Sequence, residues 1–173
     1  DVVVGHTHWI SSLSREGVLL RAVRSIVPGA RAVHLPMSGG GGMHVYLQIR
    51  KTVEGQGKAA AVAALSAGFG HKHVFVFDED VDIFDEKEVL LAVAMRFQVD
   101  RGLIVLPGLT GGVLDPSSPD GITATKVGFD CTKPVGSAFA ERLAVPAEVL
   151  QKIDPLKLVS REKWERIPVE PWG

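Results

Sequence analysis

From Ser14 to Ile26 apolar positions recur three and four residues apart, so that Val18, Leu19, Ala22, Val23 and Ile26 share one side of a helix. Ser14 is placed to cap that helix and Pro28-Gly29 to end it. Ala32 to Leu35 reads as a short strand. Val45, Leu47 and Ile49 then alternate with Tyr46, Gln48 and Arg50, which predicts a strand with one polar face. Gly57 to Ala67 is a helix of small residues. Val74 to Phe77 is a wholly apolar run, as in a strand covered on both faces. Asp85 to Phe97 is a second helix, with Val89, Leu90, Val93, Ala94 and Phe97 on its stripe. Leu103 to Leu106 is another buried strand, Pro107 to Ala124 a polar loop, and Thr125 to Phe129 a last strand. Beyond Pro146 the pattern gives two short amphipathic helices, Ala147 to Ile153 and Ser160 to Ile167. Such alternation predicts an α/β fold, a layered sandwich with a mixed, mostly parallel central sheet flanked by helices. Residues 1–140 read as that domain and 141–173 as a helical tail suited to a subunit contact.

Composition narrows the function classes. The chain has 173 residues, 46% apolar and 23% charged, with a net charge of −1. One domain with a real core fits that length. A near-neutral balance with scattered basic residues argues against nucleic acid and membrane partners. No apolar run approaches the roughly 18 residues of a membrane span. Cys131 is the single cysteine, which excludes an internal disulfide and fits a reducing, cytoplasmic setting. The chain opens abruptly on Asp1 and three valines, which reads as a fragment cut inside an element.

Four stretches bear on chemistry. Asp78-Glu79-Asp80-Val81-Asp82 follows the buried strand Val74 to Phe77, at the edge where open α/β sheets bind ligands. Carboxylates so dense repel one another unless basic groups or a hard cation neutralise them. An EF-hand is excluded, because Ile83 and Val89 stand where glycine and glutamate are needed. Asp85 is expected to cap the next helix, with Glu86 and Glu88 favouring its dipole. Ser38 to Gly42 lacks the Lys-Ser/Thr of a phosphate loop and reads as a flexible turn or lid rather than an anion site. His6 and His8, in an extended segment, would share one face as metal ligands or substrate contacts. His34, His44, His71 and His73 read as surface or core residues. Cys131 reads as a buried, inert thiol.

Taken in order, several stretches resemble one family. These are His34-Leu35-Pro36, the glycine loop, His44 to Lys51, Gly55-Gln56-Gly57-Lys58-Ala59, Lys72 to Asp85, Ala94 to Arg101, Leu106-Pro107-Gly108, Leu114-Asp115-Pro116-Ser117 and Lys126 to Pro134. The acidic run and the Lys126-Val127-Gly128-Phe129-Asp130-Cys131-Thr132-Lys133-Pro134 run are the most specific. From about residue 30 to 135 the chain is similar to the C-terminal domain of UbiD-type decarboxylases. It departs in Val127 and Phe129 for methionine and isoleucine, in Glu54 for proline, and in Phe75 and Phe77 for smaller aliphatics.

The resemblance implies an enzyme that removes CO₂, sometimes reversibly, from aromatic, heteroaromatic or α,β-unsaturated acids. It implies prenylated FMN with a divalent metal and potassium in the parent enzyme, and none of them on this chain alone. The family's flavin site and its catalytic glutamate-arginine-glutamate set lie in an N-terminal half that these residues do not include. No catalytic residue is therefore carried over, and the chain alone is expected to be inactive. The implied role is to close over the substrate against the N-terminal flavin-binding domain and to form a homo-oligomer through the tail. The substrate-facing residues are expected where the resemblance fades, at His6, His8, Leu109 and Thr110 in loops. Asp78, Asp80 and Asp82 become a structural or interdomain cluster, and no metal site is assigned. Two rivals stand beside this reading. One is a nucleotide-sugar glycosyltransferase fragment binding Mn²⁺ through Asp78-x-Asp80, and the other a non-catalytic oligomerisation domain.

Overall fold

A computed structural model describes residues 6–68, 70–112, 115–118, 120–140, 147–150 and 152, the side chains of 6–11, 147 and 150 excepted. The chain forms two compact units, Asp1–Ser137 and Ala138–Gly173. Among the described residues of the second unit is one short helix, α5 (Ala147–Leu150). The Ser160 to Ile167 helix expected from the sequence lies outside the described residues.

The first unit is a five-stranded sheet between helices, the α/β sandwich that the alternation predicts. Its elements are α1 (His6–Ile26), β1 (Ala30–His34), a 3-10 turn (Met37–Gly39), β2 (His44–Ile49), α2 (Gln56–Ala67), β3 (His73–Asp78), α3 (Glu86–Arg96), a one-turn α4 (Val99–Gly102), β4 (Leu103–Thr110) and β5 (Thr123–Asp130). Strand order is β1-β2-β3-β5-β4. The three central strands are parallel, and each edge strand is antiparallel to its neighbour.

α1 and α2 cover one face of the sheet. Leu19, Val23 and Val27 meet Val45, Leu47, Ile49, Val74 and Val76, with Ala60, Ala61, Ala64 and Leu65 of α2 completing the cluster. The alanines let α2 lie close to the strands: a Cβ at Gly128 of β5 would stand 3.0 Å from that of Ala61. α3 covers part of the other face, where Val89 and Ala92 pack with Tyr46, Phe77, Val81, Ile83 and Cys131.

Several expectations are corrected. α1 begins at His6, so Ser14 is an interior residue and not its cap; the hydroxyl cluster resembled a start signal, but the helix runs through it. The α1 seam is Leu19 and Val23, continued by Val27 just past the helix, while Val18 and Ile26 are exposed. The outer face of β2 is not polar: Tyr46 is buried because α3 lies over it. α3 turns Val89 and Ala92 to the sheet, leaving Leu90 and Met95 exposed. β4 is not a buried strand but an edge strand running on to Thr110, with Val105 half exposed. Gly108, at φ 72°, lies at the register shift that carries β4 past Pro107. No helix among the described residues is long and apolar enough to cross a membrane.

Candidate functional site

The Lys126 to Pro134 run brackets α2. Lys126 is buried in β5 and its ammonium donates to the carbonyls of Leu65 (3.1 Å) and Gly68 (2.8 Å), at the negative end of the helix dipole. Gly128 lies under the middle of the helix. At the other end the Asp130 carboxylate fills the space that a side chain at Gly57 would need, and it accepts from the Thr132 amide and hydroxyl. Burial pushes the Lys126 ammonium pKa down. Cys131 is fully buried, and burial, with the nearby Asp130 charge, pushes its thiol up to about 12, in line with an inert cysteine.

The strands β2, β3 and β5 end in a cleft of about 400 Å³ lined by Arg50, Lys51, Asp78, Asp80, Lys133 and Val135, among others. Two of the three predicted aspartates meet there. Asp80 takes both Arg96 guanidinium nitrogens, at 3.0 and 2.9 Å, and the Lys133 ammonium at 2.9 Å. Asp78 accepts from the Lys133 amide at 2.7 Å and from Arg96 at 3.5 Å. Burial works to raise both carboxyls. In Asp78 it prevails, whereas in Asp80 Arg96 and Lys133 outweigh it and hold the group at about 2. Lys51 ties the segment after β5 by donating to the Lys133 carbonyl (2.9 Å) and Thr132 hydroxyl (3.1 Å), and Glu54 accepts from the Val135 amide. Asp82 stands apart, accepting from the Phe84 amide in a local turn. Asp85 caps α3 as expected, accepting from the Lys87 amide.

Among the described residues no three His, Cys, Asp or Glu side chains stand close enough together to hold a metal. Asp78 Oδ2 and both Asp80 oxygens are taken up by the Lys133 amide, the Arg96 guanidinium and the Lys133 ammonium, so basic groups stand where an Asp-x-Asp pair would hold Mn²⁺. The donor set of this cleft does not fit a metal-bound cofactor.

The opposite, amino edge is rimmed by backbone. There the turn at 37–43, residues 70–72, the end of β4 and the start of β5 come together. Gly39, Gly41 and Gly42 are buried, and a Cβ at Gly39 would run into His44. The Gly39 and Gly41 amides donate to Pro36, and the Gly40 amide to Met37, so this is a packed turn rather than a free lid or an anion cradle. Arg15 of α1 donates to the Gly41 carbonyl (2.8 Å), His71 meets the Gly42 carbonyl (2.9 Å), and Glu16 accepts from the Leu35 amide (2.8 Å). Just inside, the His44 and His73 rings meet edge to face at 5.1 Å, and Phe75 stacks on Phe129 at 4.4 Å. Burial pushes His44, His71 and His73 below the ordinary imidazole value, so all three are neutral at pH 7. The His73 Nδ1 is buried with no partner among the described residues.

The predicted substrate-side residues fall at this edge. Leu109 and Thr110 close β4, paired with Ala124 and Thr123, and are strand residues rather than loop residues; Leu109 is half-buried and Thr110 exposed. Arg15 fixes α1 at the amino edge, and nine residues of helix run on to His6, about 14 Å. His6 and His8 therefore lie on the part of α1 that leads outward from this edge. The extended segment expected for them is corrected, because helix positions two apart are separated by about 200° around the axis and share no face; their side chains lie outside the described residues. Strand rise separates the two edges by roughly 20 Å. Sequence reading missed Arg15, Glu16, Lys51, Lys72 and Arg96. The partners that place them at these edges are remote in the chain, although Lys51 also pairs with Glu54 three residues on.

The sequence matches the family model of the 3-octaprenyl-4-hydroxybenzoate carboxy-lyase C-terminal domain over residues 8–131. It is 44% identical over 133 residues to the anhydromevalonate phosphate decarboxylase of Aeropyrum pernix, covering 76% of this chain and 30% of that protein. Against the gallate decarboxylase of Lactiplantibacillus plantarum the figures are 30% over 161 residues, 91% and 32%. The structure of the UbiD-class enzyme HmfF from Pelotomaculum thermopropionicum, in complex with FMN, superposes with a TM-score of 0.78 at 37% identity, covering 88% of this chain and 34% of that one. The chain thus spans about a third of the length of the relatives it matches. The family model spans most of the chain and the superposed fold agrees with it, and the chain belongs to the UbiD family of decarboxylases as its C-terminal domain.

Proposed function

We propose that this chain is the substrate-capping domain of a prenylated-FMN-dependent decarboxylase. Its amino edge closes over an unsaturated or aromatic carboxylic acid held by an N-terminal flavin-binding domain. The observation that carries this reading is the amino edge itself. There a packed glycine turn forms a firm floor, and the ends of β4 and of α1, with Leu109 and exposed Thr110, stand beside it. Closure of this kind excludes water and orients the acid. Flavin, divalent metal and potassium belong, on this reading, to the other half, and the tail from residue 141 to a subunit contact in a cytoplasmic homo-oligomer. Anhydromevalonate phosphate is the first acid to try, because relatives at 37–44% identity are named for it. Asp78 and Asp80 hold the segment leading out of the domain, and Asp82 shapes the turn before α3.

The test is to mix the purified chain with its flavin-binding half, prenylated FMN and a divalent metal. The chain alone is expected to leave flavin fluorescence unchanged, and the two halves together to decarboxylate the acid. Tight flavin binding by the chain alone would overturn the division of labour. In the complete enzyme, alanine at His6, His8, Leu109 or Thr110 is expected to change acid preference with flavin affinity intact; unchanged preference in all four would remove them from the substrate surface.

A further inference from the structure

Lys72 belongs to no predicted site, yet three segments of the amino edge converge on it. Its amide donates to the Met43 carbonyl (2.9 Å), at the end of the glycine turn, and its carbonyl accepts from the Val127 amide of β5 (2.8 Å). Its ammonium pairs with Asp115 at 2.8 Å and donates to the Ser117 hydroxyl. The Lys72 and Asp115 side chains are 21% and 8% exposed, so the pair is partly shielded from solvent. Asp115 in turn organises its own loop, accepting from the Ser117 amide (3.0 Å) and hydroxyl (2.7 Å), while its amide donates to Gly112 (2.9 Å) and its carbonyl accepts from the Ser118 amide (3.1 Å). The Ser118 hydroxyl closes onto the Thr123 carbonyl (2.7 Å), beside the Thr110–Thr123 pair.

We infer that Lys72 is a positioning residue: through Asp115 it fixes the β4–β5 loop, and with it Leu109 and Thr110, against the glycine turn. The inference rests on the capping reading for its consequence in catalysis, but the loop ordering can be measured without it. Lys72 touches no reacting atom. It sets the shape of the wall that the acid meets, so its loss falls on acid binding more than on turnover. The Lys72 ammonium bonded to Asp115 holds that carboxyl at about 2, so the carboxylate stays ionised throughout the neutral range.

The experiment has two arms. In the first, amide hydrogen exchange is followed on the full chain for wild type, Lys72→Met and Lys72→Arg. In Lys72→Met the Asp115, Ser117 and Ser118 amides are expected to exchange about tenfold faster while the Leu47 and Val76 amides keep their rates, and Lys72→Arg is expected to restore most of the protection. Unchanged loop amides would overturn the inference. Should Lys72→Met loosen the whole domain, the isosteric Asp115→Asn decides: accelerated Ser117 and Ser118 amides support it, and unchanged ones sink it. The second arm measures decarboxylation of anhydromevalonate phosphate by the complete enzyme. Lys72→Met is expected to raise KM about tenfold with kcat within about twofold. If Leu109→Ala shifts KM and Lys72→Met does not, Lys72 is no positioning residue. If neither shifts KM although the exchange arm succeeds, it is the capping reading that fails.

Discussion

Replacing Lys126 by methionine tests whether the most specific run of the sequence is scaffold or chemistry. The substitution keeps the length of the side chain and removes the ammonium that donates to the Leu65 and Gly68 carbonyls. A hydrogen bond from a charged donor contributes about 1.5–3 kcal/mol, and an orphaned buried carbonyl costs about 1–3 kcal/mol. Against this, the variant is relieved of desolvating an ammonium in a residue only 3% exposed, the burial that lowers its pKa. The Gly68 carbonyl is partly exposed and can turn to water, so the net loss comes to about 2 kcal/mol, or a fall in Tm of roughly 4–8 °C for a domain of this size. Urea unfolding followed by circular dichroism reads this directly, with an unchanged m-value showing that the same surface is exposed. In the complete enzyme, flavin affinity is expected to stay at the wild-type value. A Tm within about 1 °C of wild type together with lost activity would refute the scaffold reading and make Lys126 a functional group.

Three further outcomes follow from the same packing. Gly17→Ala, in the middle of α1 with nothing within 4 Å of the new Cβ, is expected to stabilise by about 0.5–1 kcal/mol, whereas Gly57→Ala drives a methyl into the Asp130 carboxylate and should cost about 1–3 kcal/mol; thermal melts of the pair should move in opposite directions. Cys131, with its thiol at about 12, is expected to resist iodoacetamide at pH 8 in the native chain and to react fully in urea, as mass spectrometry would show. Asp80→Asn should lower stability at pH 7 by no more than about 1 kcal/mol, since the carboxylate is 47% exposed. The Asp80 group titrates at about 2 when folded against 3.8 when free, so its contribution is present above about pH 4 and is lost as the pH falls toward 2, where urea midpoints of variant and wild type should converge.

How far the sequence revealed the fold depended on the range of the interaction. Alternation placed β2, a wholly apolar run β3, a small-residue stretch α2 and a helical stripe α3, each to within a residue or two, because each pattern reflects how the element is buried in the sheet or against it. The Asp85 cap was legible because its partner, the Lys87 amide, is two residues away. β4 was misjudged because an apolar run such as Leu103 to Leu106 looks the same in a central strand and in an edge strand paired on one side; only β5, pairing it antiparallel, decides between them. The start of α1 was misjudged because serines at 11, 12 and 14 are good caps in isolation, while the helix that contains them is held from outside, by Arg15 on Gly41 and Glu16 on Leu35. The acidic run could be flagged but not interpreted, since the groups that neutralise it, Arg96 and Lys133, lie 16 and 53 residues from Asp80.

The topology sets this sheet apart from the open parallel sheets that the carboxyl-edge rule serves. In a doubly wound sheet every strand leaves the carboxyl edge through a loop into a helix, and those loops make the site. β2 and β3 obey this, and their following segments do meet at that edge, but Asp78, Asp80, Arg96, Lys51 and Lys133 pair off there and hold the exit of the chain after β5. β1 and β4 are antiparallel additions on the two flanks of the central strands. An antiparallel strand must hand its connection to β2 or β5 at the other end, so the turn at 37–43 and the β4–β5 loop both arrive at the amino edge, on either side of residues 70–72. Lys72 stands between them, and α1 leads outward beside them. Two edge strands thus bring the glycine-rich turn and the β4–β5 loop to the same end of the sheet. On the capping reading, substitutions at exposed positions of this edge, such as Thr110, should therefore alter acid selection at little cost in stability, whereas a side chain at Gly39, whose Cβ would run into His44, should cost stability first.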